Sequence, residues 1–440
     1  MTIHQLIYTQ LSYNVMSIKQ LSIENYKSLK SINIDLNRRM NVFVGENGSG
    51  KSSILQTIEI LFSWYNARFR SATAKGRLIN PYDITHGEGY SRIHVKLNYP
   101  NEEEHISWQL IRHKNTRSNK NAEKSDFSAI KKIIDKVSSN NLLDSNLPAF
   151  IVAYNVNRSV IDIPMRFRSN KRDAKSSLYE DELLSGANFK TFFNWFKQRE
   201  DIENENIRFQ TGGEDFQLHV VRKALENFFP NYKNLRVRRQ TPCGVVLEKG
   251  DELLFLNQLS DGEKCYITMI ADIARRMAVA YEEYHLSGDP LGINAIILID
   301  EVELHLHPKW QLEILNKLKS TFTHCQFIVT THSPHVIANV NSTDDYLFIM
   351  KEGNINRYSN YTYGVETNTI LSEIFDMPTL RNMEVEALIQ KVWEHLNNRE
   401  MGEQFEEDYN KLKRLLPPYD HIFSLIKAQI MINESKRGKK

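Results

Sequence analysis

Gly45-Glu46-Asn47-Gly48-Ser49-Gly50-Lys51-Ser52 has the spacing of a loop that wraps phosphate. Glycines in such a loop let successive backbone N–H groups converge on an anion, and the helix that follows turns its positive N-terminus toward the same point. In that arrangement Lys51 reaches the terminal phosphates and the Ser52 hydroxyl ligates Mg²⁺, with Ser53 beside it. Further along, Ile296 to Glu301 reads IILIDE, an apolar strand ending in two acids. Asp300 is suited to hold Mg²⁺ through water and Glu301 to polarise an attacking water. Acids commonly end buried strands, so this pair gains its meaning from the phosphate loop.

Two further stretches are ambiguous by themselves. Leu259-Ser260-Asp261-Gly262-Glu263-Lys264 precedes a helical pattern and reads as an Asp-Gly turn with a helix cap. Thr330-Thr331-His332-Ser333-Pro334 follows an apolar strand, where a lone histidine is most often a satisfied turn residue. His305 and His307, just before Pro308, offer two imidazoles with no third ligand nearby, too few for a metal site.

The elements that must position these residues are of mixed α/β type. From Ile18, IKQLSIENYKSL and SINIDL alternate apolar and polar residues, as half-buried antiparallel strands do. Met40 to Val44 is a buried strand, and SSILQTIEILFSWY has helical spacing, so the phosphate loop joins a strand to a helix. Between Arg112 and Lys136 lie eight Lys/Arg and three acids, a solvated face or a contact to phosphate backbone. A second basic cluster is Arg166, Arg168, Lys171 and Arg172. Residues 180–230 are helical and aromatic-rich, without heptads. Apolar positions 266, 267, 270, 273, 274 and 277 form one stripe of a helix over Gly262–Tyr281. Ala295–Ile299 and Gln326–Val329 are buried strands, Trp310–Phe322 is helical, and beyond residue 365 the chain is helical and charged. The pattern becomes regular only at Met16, which leaves Met1 and Met16 both open as the start.

Composition narrows the class. The chain has 440 residues, 41% hydrophobic and 25% charged, with a mean hydropathy of −0.47, which excludes disordered and collagen-like proteins. Fifty-six Lys and Arg against fifty-four Asp and Glu leave a net charge of +2, too balanced for a protein that coats polyanions. Three cysteines, Cys243, Cys265 and Cys325, lack metal-ligand spacing and read as reduced thiols. No apolar run reaches the roughly 18 residues of a membrane helix, and the first residues lack the features of a signal peptide. The expected location is cytoplasmic.

Taken in order, GENGSGKSS, LSDGEK, LIDEVELHLHPKW and QFIVTTHSPHVI resemble the compact ABC/SMC-type ATPases of the RecF and OLD branch. Only about 200 residues, without heptads, part the two motif groups, which sets the chain apart from the long coiled-coil relatives. AYNVNRSVIDIPMR, SGANFKTFFNWFKQREDIENE and YGVETNTILSEIFDMP are similar to the PtuA family of Septu antiphage ATPases, including retron-associated relatives, over most of the chain from Met16. The resemblance implies an α/β ABC-type ATPase head with a mixed, largely parallel sheet. Its halves would be residues 16–100, with the phosphate loop, and 245–350. Residues 101–244 would be an insert, basic and then helical, and 351–440 a C-terminal helical docking segment.

The resemblance also implies roles. Gly45, Glu46, Asn47, Gly48, Ser49, Gly50, Lys51, Ser52 and Ser53 would bind ATP, with Ser52 and Asp300 holding Mg²⁺, Glu301 as catalytic base and His332 as a γ-phosphate switch. Ser260 and Gly262 would contact the γ-phosphate of the opposing subunit in a homo-oligomer with dimeric heads. Asp261 departs from the family by placing a carboxylate where a small residue is usual, and no Q-loop glutamine is evident; Asn155 to Arg158 is the candidate substitute. The partner implied is a PtuB-like HNH endonuclease, consistent with a chain in which neither an HNH motif nor an acidic D-x-D pattern after His332 is found. The motifs specify a site, not a turnover number, and slow or absent hydrolysis stays open. The alternative is a stand-alone RecF-like repair clamp that meets DNA through its basic tracts. A transporter subunit is disfavoured by the HLHP and THSPH segments.

Overall fold

The computed structural model describes residues 16–99, 105–114, 123–139, 150–156, 189–283, 286, 288–377, 379 and 381–437. Expectations for the first fifteen residues, for Arg158 and for the cluster from Arg166 to Arg172 lie outside them.

β1 (Ser17–Tyr26) and β2 (Leu29–Asp35) form an antiparallel hairpin. In β2 Leu29, Ile32 and Ile34 are buried while Lys30, Ser31, Asn33 and Asp35 face solvent, so one face is covered. β3 (Met40–Gly45), buried at every residue, leads through the glycine-rich loop into helix α1 (Lys51–Arg70). β4 (Tyr90–Asn98) and β5 (Ile106–His113) then extend the hairpin into a four-stranded sheet of order β2-β1-β4-β5. Helix α2 (Ser128–Ser139) precedes β6 (Phe150–Tyr154).

A second lobe follows, built from α3 (Phe189–Phe209), α4 (Phe216–Phe228), the antiparallel strands β7 (Tyr232–Arg238), β8 (Gly244–Lys249) and β9 (Glu252–Phe255), and α5 (Asp261–Glu283). Two buried acids on α3 fasten it. Glu200 accepts from the Val237 amide at 3.1 Å and Arg239 at 2.8 Å, and Glu203 takes both terminal nitrogens of Arg222 at 2.9 and 3.0 Å. Removing one partner would strand a buried charge, a costly loss.

The chain returns with β10 (Ala295–Ile299), two short helices α6 (Pro308–Gln311) and α7 (Ile314–Thr321), β11 (Cys325–Thr331), the single turn α8 (Pro334–Ile337), β12 (Asp345–Lys351) and β13 (Asn354–Tyr358). These strands join β3 and β6 in a six-stranded sheet of order β13-β12-β3-β11-β10-β6, in which β13 alone is antiparallel to its neighbour. Helix α1 lies between the two sheets. Its Ile54, Ile58, Phe62 and Tyr65 share one apolar core with Leu21 and Trp108 of the first sheet and Ile151, Ile296 and Ile328 of the second. The Gln326 side chain ties the sheets as well, accepting from Ile18 N at 2.7 Å and donating to the carbonyls of Ile18 and Asn37 at 2.8 and 2.7 Å.

The chain divides into two compact units, residues 1–365 and 366–440. Within the second, α9 (Thr367–Glu373), α10 (Met383–Asn398), α11 (Glu403–Leu415) and α12 (His421–Arg437) are helical. Val392, Leu396, Phe405, Leu412 and Ile426 supply its core, and Arg381 grips Asp420 through two bonds of 2.8 and 2.9 Å.

Three details differ from the sequence expectations. β5 and β6 fall in the stretch read as an insert, yet each forms the edge of a sheet. The helix expected over Trp310–Phe322 begins earlier, with Pro308 at its first position, and breaks around Leu312 and Glu313. β13 carries the first unit past residue 350, so the division falls at Val365.

Candidate functional site

Parallel pairing brings the ends of four strands to one level. Val44 of β3 is opposite Thr331 of β11, and Ile299 of β10 is opposite both Val329 and Tyr154 of β6. The residues that follow each strand therefore emerge at the same edge, which is where open α/β sheets bind ligands. They include Glu46, Asp300, Glu301, His332 and Asn155.

Within the glycine-rich loop Glu46, Asn47 and Gly48 are exposed, Ser52 is exposed on the first turn of α1, and Ser53 is half-buried. Gly50 has a φ of 104°, and a Cβ there would come within 2.9 Å of Leu29 Cδ2, so both backbone and space call for glycine. The loop closes on itself through Ser49 N to Glu46 O at 3.2 Å. Lys51 is buried, and its ammonium donates to the carbonyls of Gly45 and Glu46 at 2.9 and 2.8 Å. Burial pushes the Lys51 pKa below its ordinary value, against an upward pull from Asp300, Glu301 and Glu303. The buried Ser49 hydroxyl has no hydrogen-bond partner among the described residues. An orphaned donor inside a loop of this geometry fits a phosphate oxygen.

The acidic pair is held by a residue that the sequence reading did not single out. Thr330 Oγ1 donates to Asp300 Oδ1 at 2.5 Å and accepts from the Glu301 amide at 2.7 Å. Asp300 N donates to Tyr154 O at 2.9 Å, and Val302 N to Thr330 O at 2.9 Å. These bonds hold Glu301 at a φ of 48°, a left-handed conformation that costs a non-glycine residue about 1–2 kcal/mol. Glu303 was missed too: it accepts from Thr331 Oγ1 at 2.7 Å and from the His332 amide at 2.5 Å. His332 is half-buried; burial and then the Lys51 charge push its pKa down, while Glu303, Glu301 and Asp300 oppose them. Burial and the Lys51 charge thus favour the neutral imidazole. A threonine pair at a strand end and a third acid two residues after Glu301 were the available signals, but neither residue type is informative without the fold.

Ser260 and Gly262 lie at the N-terminal end of α5. Ser260 caps α5. Its amide and hydroxyl both donate to Glu263 Oε2 at 2.9 Å, and its oxygen accepts from Glu263 N at 3.3 Å, a capping box. Burial raises the Glu263 pKa, but hydrogen bonds from Lys249, Tyr232 and Ser260 outweigh it and hold the carboxyl down at about 2. Gly262 has a packing reason of its own, since a Cβ there would lie 2.1 Å from the His305 carbonyl oxygen. The Asp261 side chain is largely exposed and pairs with Lys264 at 3.2 Å.

Of the Q-loop candidates, Asn155 follows β6 near Glu59, a buried acid on α1 that accepts from Arg77 at 3.1 Å. His307 caps α6 by accepting from Lys309 N at 3.3 Å. Among the described residues no three His, Cys, Asp or Glu side chains cluster as metal ligands. Of the first basic tract, Lys131 and Lys132 are exposed on α2, whose Ile130 and Ile133 are buried in the core.

A family model described as "AAA domain, putative AbiEii toxin, Type IV TA system" matches residues 40–338, from the strand before the glycine-rich loop to just past His332. The chain belongs to this AAA family. The retron Ec83 probable ATPase of Escherichia coli is 28% identical to it over 431 residues, 84% of this chain and 78% of that one. Septu protein PtuA of Bacillus thuringiensis is 24% identical over 439 residues, 94% of this chain and 98% of that one. Among solved structures, the SmcHead bound to the C-winged helix domain of ScpA covers 78% of this chain and 96% of that one at 17% identity, with a TM-score of 0.45. This member of the AAA family is thus similar along most of its length to PtuA and to the retron ATPases.

Proposed function

We propose that this chain is the ATP-binding subunit of an antiphage defence complex, in which bound nucleotide controls an HNH endonuclease carried by a partner. One observation carries the nucleotide part: the parallel pairing of β3, β10 and β11 brings the loop before Lys51, the Asp300–Glu301 pair and His332 to one edge of the sheet. Likeness to the retron Ec83 ATPase and Septu PtuA supports the defence part.

In this reading Gly45 to Ser52 wrap the phosphates, and Lys51 exchanges its bonds to the Gly45 and Glu46 carbonyls for phosphate oxygens. Ser52 and Asp300 would hold Mg²⁺, which would supply positive charge against the phosphate oxygens. Glu301 accepts a proton from the attacking water, and neutral His332 donates an N–H to the γ-phosphate. Ser260 and Gly262 of a second copy close the site, giving a homo-oligomer with paired heads. The C-terminal helices are the docking segment for the partner, and the DNA-cleaving chemistry belongs to that partner. A site of this kind serves a sensor with slow turnover as well as a hydrolase. Among the described residues no helix is long and apolar enough to cross a membrane.

The test is to co-express the chain with its neighbouring gene and weigh the purified complex with and without ATP. A stable assembly with an HNH protein, whose DNA cleavage changes with ATP, is the expected result. A second reading, a repair clamp on DNA, draws on the exposed Lys131 and Lys132 and on a 21% identity to RecF of Alkaliphilus oremlandii over 77% of this chain. A lone chain that dimerises only with ATP, and then holds DNA in a salt-sensitive way, would favour that clamp.

A further inference from the structure

We propose that Glu303 is the positioning residue for His332, and that through it Glu303 sets how well this chain distinguishes a nucleoside triphosphate from a diphosphate. The inference rests on the reading of His332 as the group that meets the γ-phosphate.

Both oxygens of the Glu303 carboxylate are used on consecutive residues of one strand end, the His332 amide at 2.5 Å and the Thr331 hydroxyl at 2.7 Å. Hydrogen bonds to an ionised acceptor are the strong ones, and two from one side chain fix direction as well as distance. The Thr331 hydroxyl is itself oriented, because its oxygen also accepts from Ser333 N at 3.0 Å. Ser333 caps α8 and donates its hydroxyl proton to Gln311 Oε1 at 2.6 Å. Gln311 in turn donates to Leu306 O at 2.8 Å, and Leu306 N returns to Glu303 O at 2.9 Å. His332 thus sits in a closed ring of bonds that begins and ends on Glu303. Its imidazole is the one side chain between Thr331 and Ser333 that the ring leaves available.

The same carboxylate also faces Lys51, so it could instead act through its charge or serve as a base in place of Glu301. The two roles separate on substitution. Glutamine at 303 keeps an oxygen for the His332 amide and an N–H for the second lone pair of Thr331, and so preserves the ring without the charge. Alanine removes both. Aspartate keeps the charge but is one methylene too short to span both partners.

The experiment measures dissociation constants of the full chain for MgATPγS and for MgADP in wild type, Glu303→Ala, Glu303→Gln, Glu303→Asp and His332→Ala. Glu303→Ala and Glu303→Asp are expected to lower the triphosphate preference about tenfold, the scale of losing a charge-assisted hydrogen bond. Glu303→Gln should restore it to within about threefold of wild type. Hydrogen exchange of the His332 amide should accelerate in Ala and stay slow in Gln. MgADP binding checks that each variant is folded, and the Gln and Asp pair decides the matter should Ala fail to fold. Wild-type preference in Ala and Asp, or an equal loss in Gln, overturns the proposal. His332→Ala with wild-type preference overturns the γ-phosphate reading itself; His332→Ala that loses it while the Glu303 variants do not overturns the positioning role alone.

Discussion

The surroundings of Lys51 and of Ser260 are finished to different degrees. Lys51 gathers its neighbours from separate strand ends: Asp300, Glu301 and Glu303 after β10 lie within its electrostatic reach, and it in turn acts on His332 after β11. Ser260 is satisfied locally, by a glutamate three residues on, and that glutamate by Lys249 at 2.8 Å and by Tyr232. The first arrangement leaves one buried polar atom, the Ser49 hydroxyl, without a partner among the described residues. The second leaves none at Ser260, so Ser260 can meet a phosphate only by releasing Glu263. Lys249 and Tyr232 would keep the released carboxylate in place. A nucleotide site can therefore be half assembled within one chain while its other half stays latched.

The contrast can be broken most severely at Lys51. Lys51→Ala should weaken MgATP binding at least about 100-fold, since it removes the cation from a field of three acids; calorimetric titration would read this. Wild-type affinity would mean the cluster is not a phosphate site. Glu301→Gln comes next, with turnover falling about 100-fold or more and nucleotide retained after gel filtration. Unchanged turnover and occupancy would remove Glu301 as the base.

The remaining effects concern the latched loop. Gly262→Ala forces a methyl to within 2.1 Å of the His305 carbonyl and should cost about 1–3 kcal/mol, read as a lower denaturant midpoint. A neutral result would show that the backbone contact gives way easily. Ser260→Ala should cost about 1 kcal/mol through the lost cap. The pH dependence has a definite sign: the Glu263 pKa is depressed to about 2 in the folded chain, so its contribution is complete above about pH 4.5 and drains away as pH falls toward 2. Glu263→Gln should flatten that acid limb in urea titrations, and an unaltered slope would show that the latch adds nothing.

Legibility in the sequence followed range. The glycine-rich loop, the hairpin from Ile18 and the stripe on α5 were readable because each is set by neighbours within a few residues. β5 and β6 escaped because both border a basic, loop-like stretch and take their places only at sheet edges, by pairing with β4 and β10. Thr330 and Glu303 escaped because their partners are held 28 to 30 residues away across a sheet, by pairings that no local pattern encodes. Gly262 looked like a turn glycine, whereas the carbonyl of His305 is what requires it.

By itself, then, the sequence determined the chemistry on offer: a lysine behind a glycine-rich turn, two acids ending an apolar strand, a histidine ending another. Residue type and local spacing suffice for that, because rotamers, caps and turns are short-range. Only the tertiary structure decided that these groups share one electrostatic field and that position 262 has no room for a side chain. Both depend on the parallel register of β3, β10 and β11 and on a close backbone approach, and those are settled by packing the whole chain at once.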